Sequence, residues 1–471
     1  MDLPPLPLDR TSGLPLAVQL ADAVRGAAAA GSFRRGDRLP STRALAATLG
    51  VSRTVTAAAY DQLLAEGWIA ARHGAGTFVV GAPDAPPGPA ATPARPPTAP
   101  AGTATTSLEP GSPCTEALDP AAWRRAWRAG ADALPALLAD DVGLPAYRAA
   151  VADQLLRHRG LVTGPDAVLA TAGTTAAVAE LAALLPRGAR VAVEDPGYQR
   201  VAAALRRAGT TVLPVPVDDE GLVVDALPDR LDAVYCTPAH QYPLGARLSA
   251  RRRLALVQRA RAGRFLVIED DYDGELRYDV APLPLLAALA PDVVAHLGTT
   301  SKVLSPTLGV GWLVAPPAVR AGLLVARASG ARPAEAGQRV FAAMAAHGDL
   351  ARHLRRLRRV LGERRAETVA AIRATGHEVR GDAAGGHVVA PLPDAAGEIA
   401  VAEALAARSV TVGLLSSYGL TGPTGYGVVV GYAGPDRPAL RRGLAALQEA
   451  LAGATADVTQ RAAISHSAQP V

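Results

Sequence analysis

Three stretches near the start of the chain place apolar residues at helical spacing. Leu16, Leu20 and Val24 recur every fourth position, Leu45 and Leu49 face one way within Thr42 to Leu49, and Val55, Ala59 and Leu63 share a face after Ser52. Gly50 stops the second of these helices, and Ser52, whose hydroxyl can accept a backbone N–H, starts the third. Helix, short turn at Gly50-Val51-Ser52, helix is the helix-turn-helix pattern. From Trp68 to Val80 the pattern changes to alternation around Gly74 and Gly76, which predicts a two-stranded wing.

Residues 81–107 break both periodicities. Proline and alanine crowd Gly81 to Ala101, a composition that favours an extended chain without a core, so this segment is expected to link a domain of residues 1–80 to a second one of residues 108–453. Beyond it, short apolar runs at Val168–Thr171, Arg190–Glu194, Ala233–Cys236, Phe265–Ile268, Val293–Leu297 and Gly311–Val314 alternate with helical stretches. That order predicts an α/β unit whose mostly parallel sheet is wrapped on both faces. A long Ala/Leu/Arg helical region from about Val319 leads into a smaller C-terminal α+β subdomain with strands near His387–Val389 and Val428–Gly431. Residues 454–471 are polar and aperiodic, and a flexible tail is expected there.

Composition narrows the function. A length of 471 residues exceeds what one core usually supports. No run of about 18 apolar residues is present, which argues against a membrane span, and the start lacks a basic segment ahead of an apolar one, so a cytoplasmic protein is expected. Two cysteines exclude a disulfide framework and a cysteine-rich zinc site, and no metal is expected. The net charge of +5 is weak evidence for any partner. Its make-up says more: of 48 basic residues one, Lys302, is lysine, and asparagine is absent. Such a bias looks like pressure toward GC-rich codons, under which a lysine survives where arginine cannot replace it. An amine nucleophile is such a place, because guanidinium stays protonated and forms no Schiff base.

Lys302 follows a strand in Gly298-Thr299-Thr300-Ser301-Lys302, and strand-end loops of α/β sheets are where ligands sit. Asp270 and Tyr272, in Glu269-Asp270-Asp271-Tyr272-Asp273, end another strand at the same edge. A carboxylate there could keep a lysine-bound pyridine ring protonated, the condition for its action as an electron sink. Gly173-Thr174-Thr175 opens a helix after a strand and suits a phosphate, and Tyr198 could stack on a ring.

The first domain, through Leu39-Pro40-Ser41-Thr42-Arg43, Leu49-Gly50-Val51-Ser52-Arg53, Gly67-Trp68 and His73-Gly74-Ala75-Gly76-Thr77-Phe78-Val79, closely resembles the winged-helix domain of the GntR family. Double-stranded operator DNA is the implied partner. Arg53, with Thr54 and Thr56, would meet base edges from the start of the recognition helix, Arg43 a phosphate, and His73 and Gly74 the backbone or minor groove from the wing tip.

The second domain resembles the fold-type I, aspartate-aminotransferase-like enzymes that use pyridoxal 5′-phosphate. The residues that carry the likeness are Asp195-Pro196-Gly197-Tyr198, Thr237 through Gly245, Glu269 through Asp273 with Glu275, and Ser301-Lys302-Val303-Leu304-Ser305-Pro306. With the winged helix in front, the whole resembles the MocR subfamily. The resemblance implies a Schiff base at Lys302, Asp270 on the pyridine nitrogen, Tyr272 on the ring hydroxyl and Tyr198 against the ring. Gly173, Thr174, Thr299 and Ser301 would hold the phosphate. It also implies a homodimer.

Two positions depart from the family pattern. Gly309 stands where many members carry an arginine that grips the phosphate, and Gly419 to Pro435 holds no arginine for a substrate carboxylate. The expected function is therefore a transcription regulator that senses a small-molecule effector, an amine or pyridoxal phosphate itself. The rivals are a true aminotransferase with an appended DNA-binding module, and a regulator whose sensor only dimerises.

Overall fold

The computed structural model describes residues 3–72, 75–80, 105–132, 134, 140–278, 284–328 and 333–467, with side chains through residue 454. It divides into two compact units, residues 1–101 and 102–471. Among the described residues no helix is long and apolar enough to cross a membrane.

In the first unit, helices α1 (Leu16–Ala29), α2 (Thr42–Leu49) and α3 (Arg53–Ala65) pack Leu20, Val24, Leu45, Ala59 and Leu63 into one small core. The Ser41 and Ser52 hydroxyls cap α2 and α3, and Gly50 ends α2 at φ +61°, a left-handed conformation that glycine takes without strain. Strands β1 (Ile69–Arg72) and β2 (Gly76–Val79) pair antiparallel, with Ile69 opposite Val79, and form the wing.

The second unit is built on an eight-stranded sheet. Its strands are β4 (Val168–Thr171), β5 (Arg190–Asp195), β6 (Thr211–Asp218), β7 (Gly221–Leu222), β8 (Ala233–Cys236), β9 (Leu266–Asp270), β10 (Val294–Thr299) and β11 (Gly311–Val314). The spatial order is β4-β11-β10-β9-β8-β5-β6-β7, parallel from β10 through β6, with β11 antiparallel to both neighbours and β7 antiparallel to β6. Helices α4 (Pro120–Ala131), α5 (Pro145–Arg159), α6 (Thr174–Ala183), α7 (Gln199–Arg207) and α8 (Ala250–Gly263) belong to the same unit. Two separate apolar clusters contain sheet residues, one including Val168, Ala192, Val234 and Val267 and the other Leu169, Val191, Ala233 and Ile268, as alternation along buried strands requires.

A four-stranded sheet completes the unit, ordered β12-β14-β13-β3 with β3 at Thr106–Leu108, β12 at His387–Leu392, β13 at Val410–Leu414 and β14 at Tyr426–Gly431. Strand β3 pairs in parallel with β13, so structure resumes at Thr106, inside the segment expected as linker. At the other end the helix Arg437–Ser467 continues through most of the expected tail. Its alanine content supplies helix propensity where no apolar period exists.

Candidate functional site

The sheet brings the predicted residues to one edge. Asp270 ends β9 and lies opposite Leu297 of β10, two residues before Thr299 ends that strand and five before Lys302. The acidic run around Asp270 is sorted by its partners. Glu269 accepts the backbone N–H groups of Leu286 and Ala287, Asp271 is clasped by both arms of buried Arg159 at 2.6 and 2.7 Å, and Asp273 meets His240 at 2.9 Å. Asp270 accepts the Tyr235 hydroxyl at 2.6 Å on Oδ2, while its Oδ1, also buried, has no hydrogen-bond partner. Burial pushes this carboxyl up to about 7, against the pull of the Tyr235 hydroxyl and of the nearby Thr174 hydroxyl, with Asp271 and Asp273 adding to the rise. A buried oxygen without a donor is the position a protonated ring nitrogen would satisfy.

Lys302 is half-buried, and its Nζ donates to the backbone carbonyl of Gly111. Burial lowers its pKa, Asp273 and Asp270 oppose the shift, and the Arg200 guanidinium adds to it. A partly desolvated lysine has more of its amine in the nucleophilic form.

The α6 end is shaped by glycines. Gly173 precedes α6 at φ +114°, and a Cβ built there would come within 3.8 Å of the Thr299 hydroxyl. Gly311 lets this turn close on the sheet, since a Cβ on it would lie 3.0 Å from Gly173 Cα and 2.5 Å from the Gly298 carbonyl oxygen. Thr299 Oγ1 donates to Ser301 Oγ at 2.9 Å and accepts the Ser301 N–H at 3.1 Å. A helix N-terminus, with its free N–H groups, thus faces two hydroxyls across a cradle without side chains, an arrangement suited to a phosphate.

Aromatic rings line the rest. Tyr198 lies edge-on to Tyr242 at 5.7 Å between centroids, and Tyr242 in turn contacts Tyr272 at 6.0 Å, His387 at 5.3 Å and Tyr418 at 5.4 Å. The Tyr272 hydroxyl is 3.0 Å from His240 Nδ1. Sequence reasoning did not single out Gly111, Tyr235, His387 or Tyr418, which come from distant segments and carry no local motif. Gly309 ends a 3-10 turn at φ +59°, with open space where a side chain would begin. Among the described residues no cluster could hold a metal ion.

In the first unit Arg43, Arg53 and Thr54 are exposed at the starts of α2 and α3. Thr56 is not with them. It is fully buried, and its hydroxyl donates to the carbonyls of Thr42 at 2.8 Å and Arg53 at 3.0 Å, which ties α3 to α2 and removes it as a base contact. Periodicity accounts for the correction, since Thr56 lies three residues before the core residue Ala59 and four before Tyr60. His73 and Gly74 lie outside the described residues. Arg38 and Arg72, at the wing, add cations that sequence reasoning passed over. Arg72 stacks over Phe78 at 4.9 Å, and Arg38 lies against Gly76.

Comparison with known proteins matches both halves. Residues 16–79 fit the description "Bacterial regulatory proteins, gntR family" and residues 106–447 fit "Aminotransferase class I and II". The chain is 37% identical to the HTH-type pyridoxine biosynthesis transcriptional regulator PdxR of Corynebacterium glutamicum, over 95% of this chain and 98% of that protein. It is 32% identical to the probable rhizopine catabolism regulatory protein MocR of Rhizobium meliloti, over 94% of this chain and 95% of that one. The α-aminoadipate aminotransferase LysN of Thermus thermophilus, solved with a phosphopyridoxyl-leucine adduct, superposes with a TM-score of 0.68 at 27% identity, over 75% of this chain and 93% of that chain. A DNA-binding half and a pyridoxal-phosphate half thus run through one chain in the order its closely matching relatives share: the protein belongs to the MocR-type transcription regulators, in which a GntR winged helix precedes an aminotransferase class I and II domain that takes pyridoxal 5′-phosphate.

Proposed function

We propose that this regulator answers to pyridoxal 5′-phosphate itself and that its targets belong to vitamin B6 metabolism. The observation that carries the reading is Gly309, a glycine in open space at the position where the family resemblance implies a phosphate-gripping arginine. Without that guanidinium the phosphate depends on the α6 N-terminus and on hydroxyls, which favours reversible occupancy at cellular concentrations. A ligand shifts a conformational equilibrium only through differential binding and varying occupancy, so weak capture serves a sensor. The pyridoxine-biosynthesis regulator at 37% identity supports the same target.

When bound, the cofactor supplies an electron-withdrawing ring held covalently through Lys302. Asp270 would offer its free oxygen to the ring nitrogen, Tyr272 its hydroxyl to the ring oxygen and Tyr198 its face or edge to the ring. Gly173, Thr174, Thr299 and Ser301 would hold the phosphate. Arg53 and Thr54 would read bases and Arg43 would hold the DNA backbone, with His73 and Gly74 at the wing tip. The domains would divide at residues 1–80 and 106–453, with β3 belonging to the second, which would form a homodimer, in the cytoplasm. True amino-acid turnover is disfavoured because Gly419 to Pro435 offers no arginine for a carboxylate. Arg200, exposed and without an ion pair among the described residues, acts on Lys302 and could substitute as a cation for an amino-acid effector.

Titration of operator affinity against pyridoxal phosphate, alone and with common amino acids, tests the reading. The cofactor alone should change operator affinity. No effect of the cofactor, or rapid transamination of a common amino acid, defeats it.

A further inference from the structure

Beneath Tyr272 lies a buried His–Asp pair that the cofactor roles above leave unused. His240 Nδ1 is 2.9 Å from Asp273 Oδ2 and 3.0 Å from the Tyr272 hydroxyl, and both His240 and Asp273 are at least nine-tenths buried. A carboxylate oxygen at that distance cannot face a ring lone pair, so Nδ1 carries hydrogen and donates. The Tyr272 oxygen can then share only as an acceptor, which leaves its own hydrogen free to point away from the imidazole.

The surroundings are built to admit the pair. Gly385, at φ +68°, passes directly over it: a Cβ there would lie 2.2 Å from His240 Cε1 and 2.6 Å from Asp273 Oδ2. A Cβ on Gly245 would lie 3.2 Å from His240 Nε2. That Nε2 is itself buried without a hydrogen-bond partner. A position kept only for packing would be filled better by an apolar side chain, since an orphaned polar atom carries its full desolvation penalty. The histidine is therefore retained for what Nδ1 does. The charged and titratable neighbours are His387, whose ring is 5.1 Å from His240, then Tyr242, Asp270, Glu194 and Lys302, with Tyr278 and Tyr432 on the Asp273 side and Arg200 acting on Lys302.

We infer that His240, oriented by Asp273, is a positioning residue that turns the Tyr272 hydroxyl into a fixed donor for the ring oxygen of the bound cofactor. The inference rests on the cofactor site proposed above. A donor on that oxygen stabilises its anionic form and weakens its hold on the proton shared with the Lys302 nitrogen. Loss of the donor should raise the pH at which the visible band of the bound cofactor switches.

The test is a pH titration of that band in the full-length holoprotein, with cofactor affinity measured alongside. Tyr272→Phe should move the midpoint upward by about one pH unit, a tenfold change in proton affinity. His240→Leu should move it upward by at least half as much. The double variant should move it no further than Tyr272→Phe alone, and His240→Asn, which can place a donor near the Nδ1 position, should restore most of the wild-type value. Asp273→Asn should give a smaller shift in the same direction and serves if His240→Leu does not fold. An unmoved midpoint in folded His240→Leu, or in Asp273→Asn where that variant stands in for it, would overturn the inference, as would additive shifts in the double variant. A wild-type protein with no visible band overturns the cofactor site itself, a separate result.

Discussion

The Tyr235 hydroxyl donates to one oxygen of Asp270 at 2.6 Å and leaves the other oxygen buried without a hydrogen-bond partner, with the Thr174 hydroxyl nearby. The relationship splits the carboxylate into a held half and an offered half, and burial outweighs the Tyr235 bond in setting its charge. Because burial raises the folded pKa from 3.8 to about 7, the fold favours the protonated form. Stability from this group is full below about 3.8 and falls as pH rises toward 7.

Asp270→Asn should therefore melt higher than wild type at pH 8 without cofactor, by up to a few kcal/mol after allowance for relaxation. It should also bind pyridoxal phosphate more weakly, by about 2–5 kcal/mol, the usual cost of truncating a buried charge pair. Glu194, buried and raised to about 7 despite the Thr237 hydroxyl, remains in the variant, so the decline of stability with pH should shrink without vanishing. Thermal melts from pH 5 to 8 and a cofactor titration check both arms. A variant no more stable than wild type at pH 8 contradicts the argument.

Lys302→Ala should abolish the visible absorption of the bound cofactor, and so should Lys302→Arg, because guanidinium keeps the charge but cannot form the covalent bond. Absorption spectra after incubation with pyridoxal phosphate and gel filtration decide it. A surviving band in either variant removes Lys302 from its assigned role.

How far the site was legible in the sequence depends on what each residue signals locally. Lys302 was conspicuous because every other basic residue is arginine, and strand ends gave Asp270 and Thr299 their edge. Which acid of the Glu269–Glu275 run faces the site could not be read from composition, since it is settled by Arg159, His240 and Tyr235, far away in the chain. Strand β6 is hidden in the sequence because Pro214 and Pro216 interrupt it. It tolerates them beside β5 because its other side is paired only at Val217 and Asp218, with β7. Strand β3 has three residues, too few to show alternation. Thr56 resembles a DNA contact in the sequence because a hydroxyl at a helix start carries no local sign of its burial.

In the winged helix, Arg53→Ala should weaken operator binding by about 1–3 kcal/mol and relax sequence preference, while Arg43→Ala should weaken all DNA alike and reduce the salt dependence. Thr56→Val should leave DNA affinity unchanged in the folded protein but cost about 1 kcal/mol of stability, because two carbonyls lose their shared donor. Anisotropy titrations at several salt concentrations, with a melt of each variant, separate the three. Equal operator affinity for wild type and Arg53→Ala would displace the recognition contact.

Gly309→Arg asks whether the missing grip sets the sensor's range. The backbone there is left-handed at φ +59°, so an arginine costs about 1–2 kcal/mol in conformational strain. Among the described residues Arg264 at φ 53° and Ser409 at φ 56° already take this conformation, and an added Cβ at 309 meets nothing within 4 Å. The variant should fold with a slightly lower melting temperature. Against that strain stands a charge-assisted, bidentate pairing with the phosphate, roughly twice as strong as a neutral hydrogen bond. The net expectation is cofactor binding tightened by about tenfold, or 1.4 kcal/mol. Tighter binding should move the operator response to lower pyridoxal phosphate by the same factor, since the cofactor acts on DNA affinity only through its occupancy. Isothermal titration of the cofactor and operator binding across a cofactor series measure the two shifts independently. If the affinity rises but the operator response stays where it was, pyridoxal phosphate is held by the protein without being what it senses. If neither moves in a folded variant, position 309 does not face the phosphate and the weakness of its capture has another source.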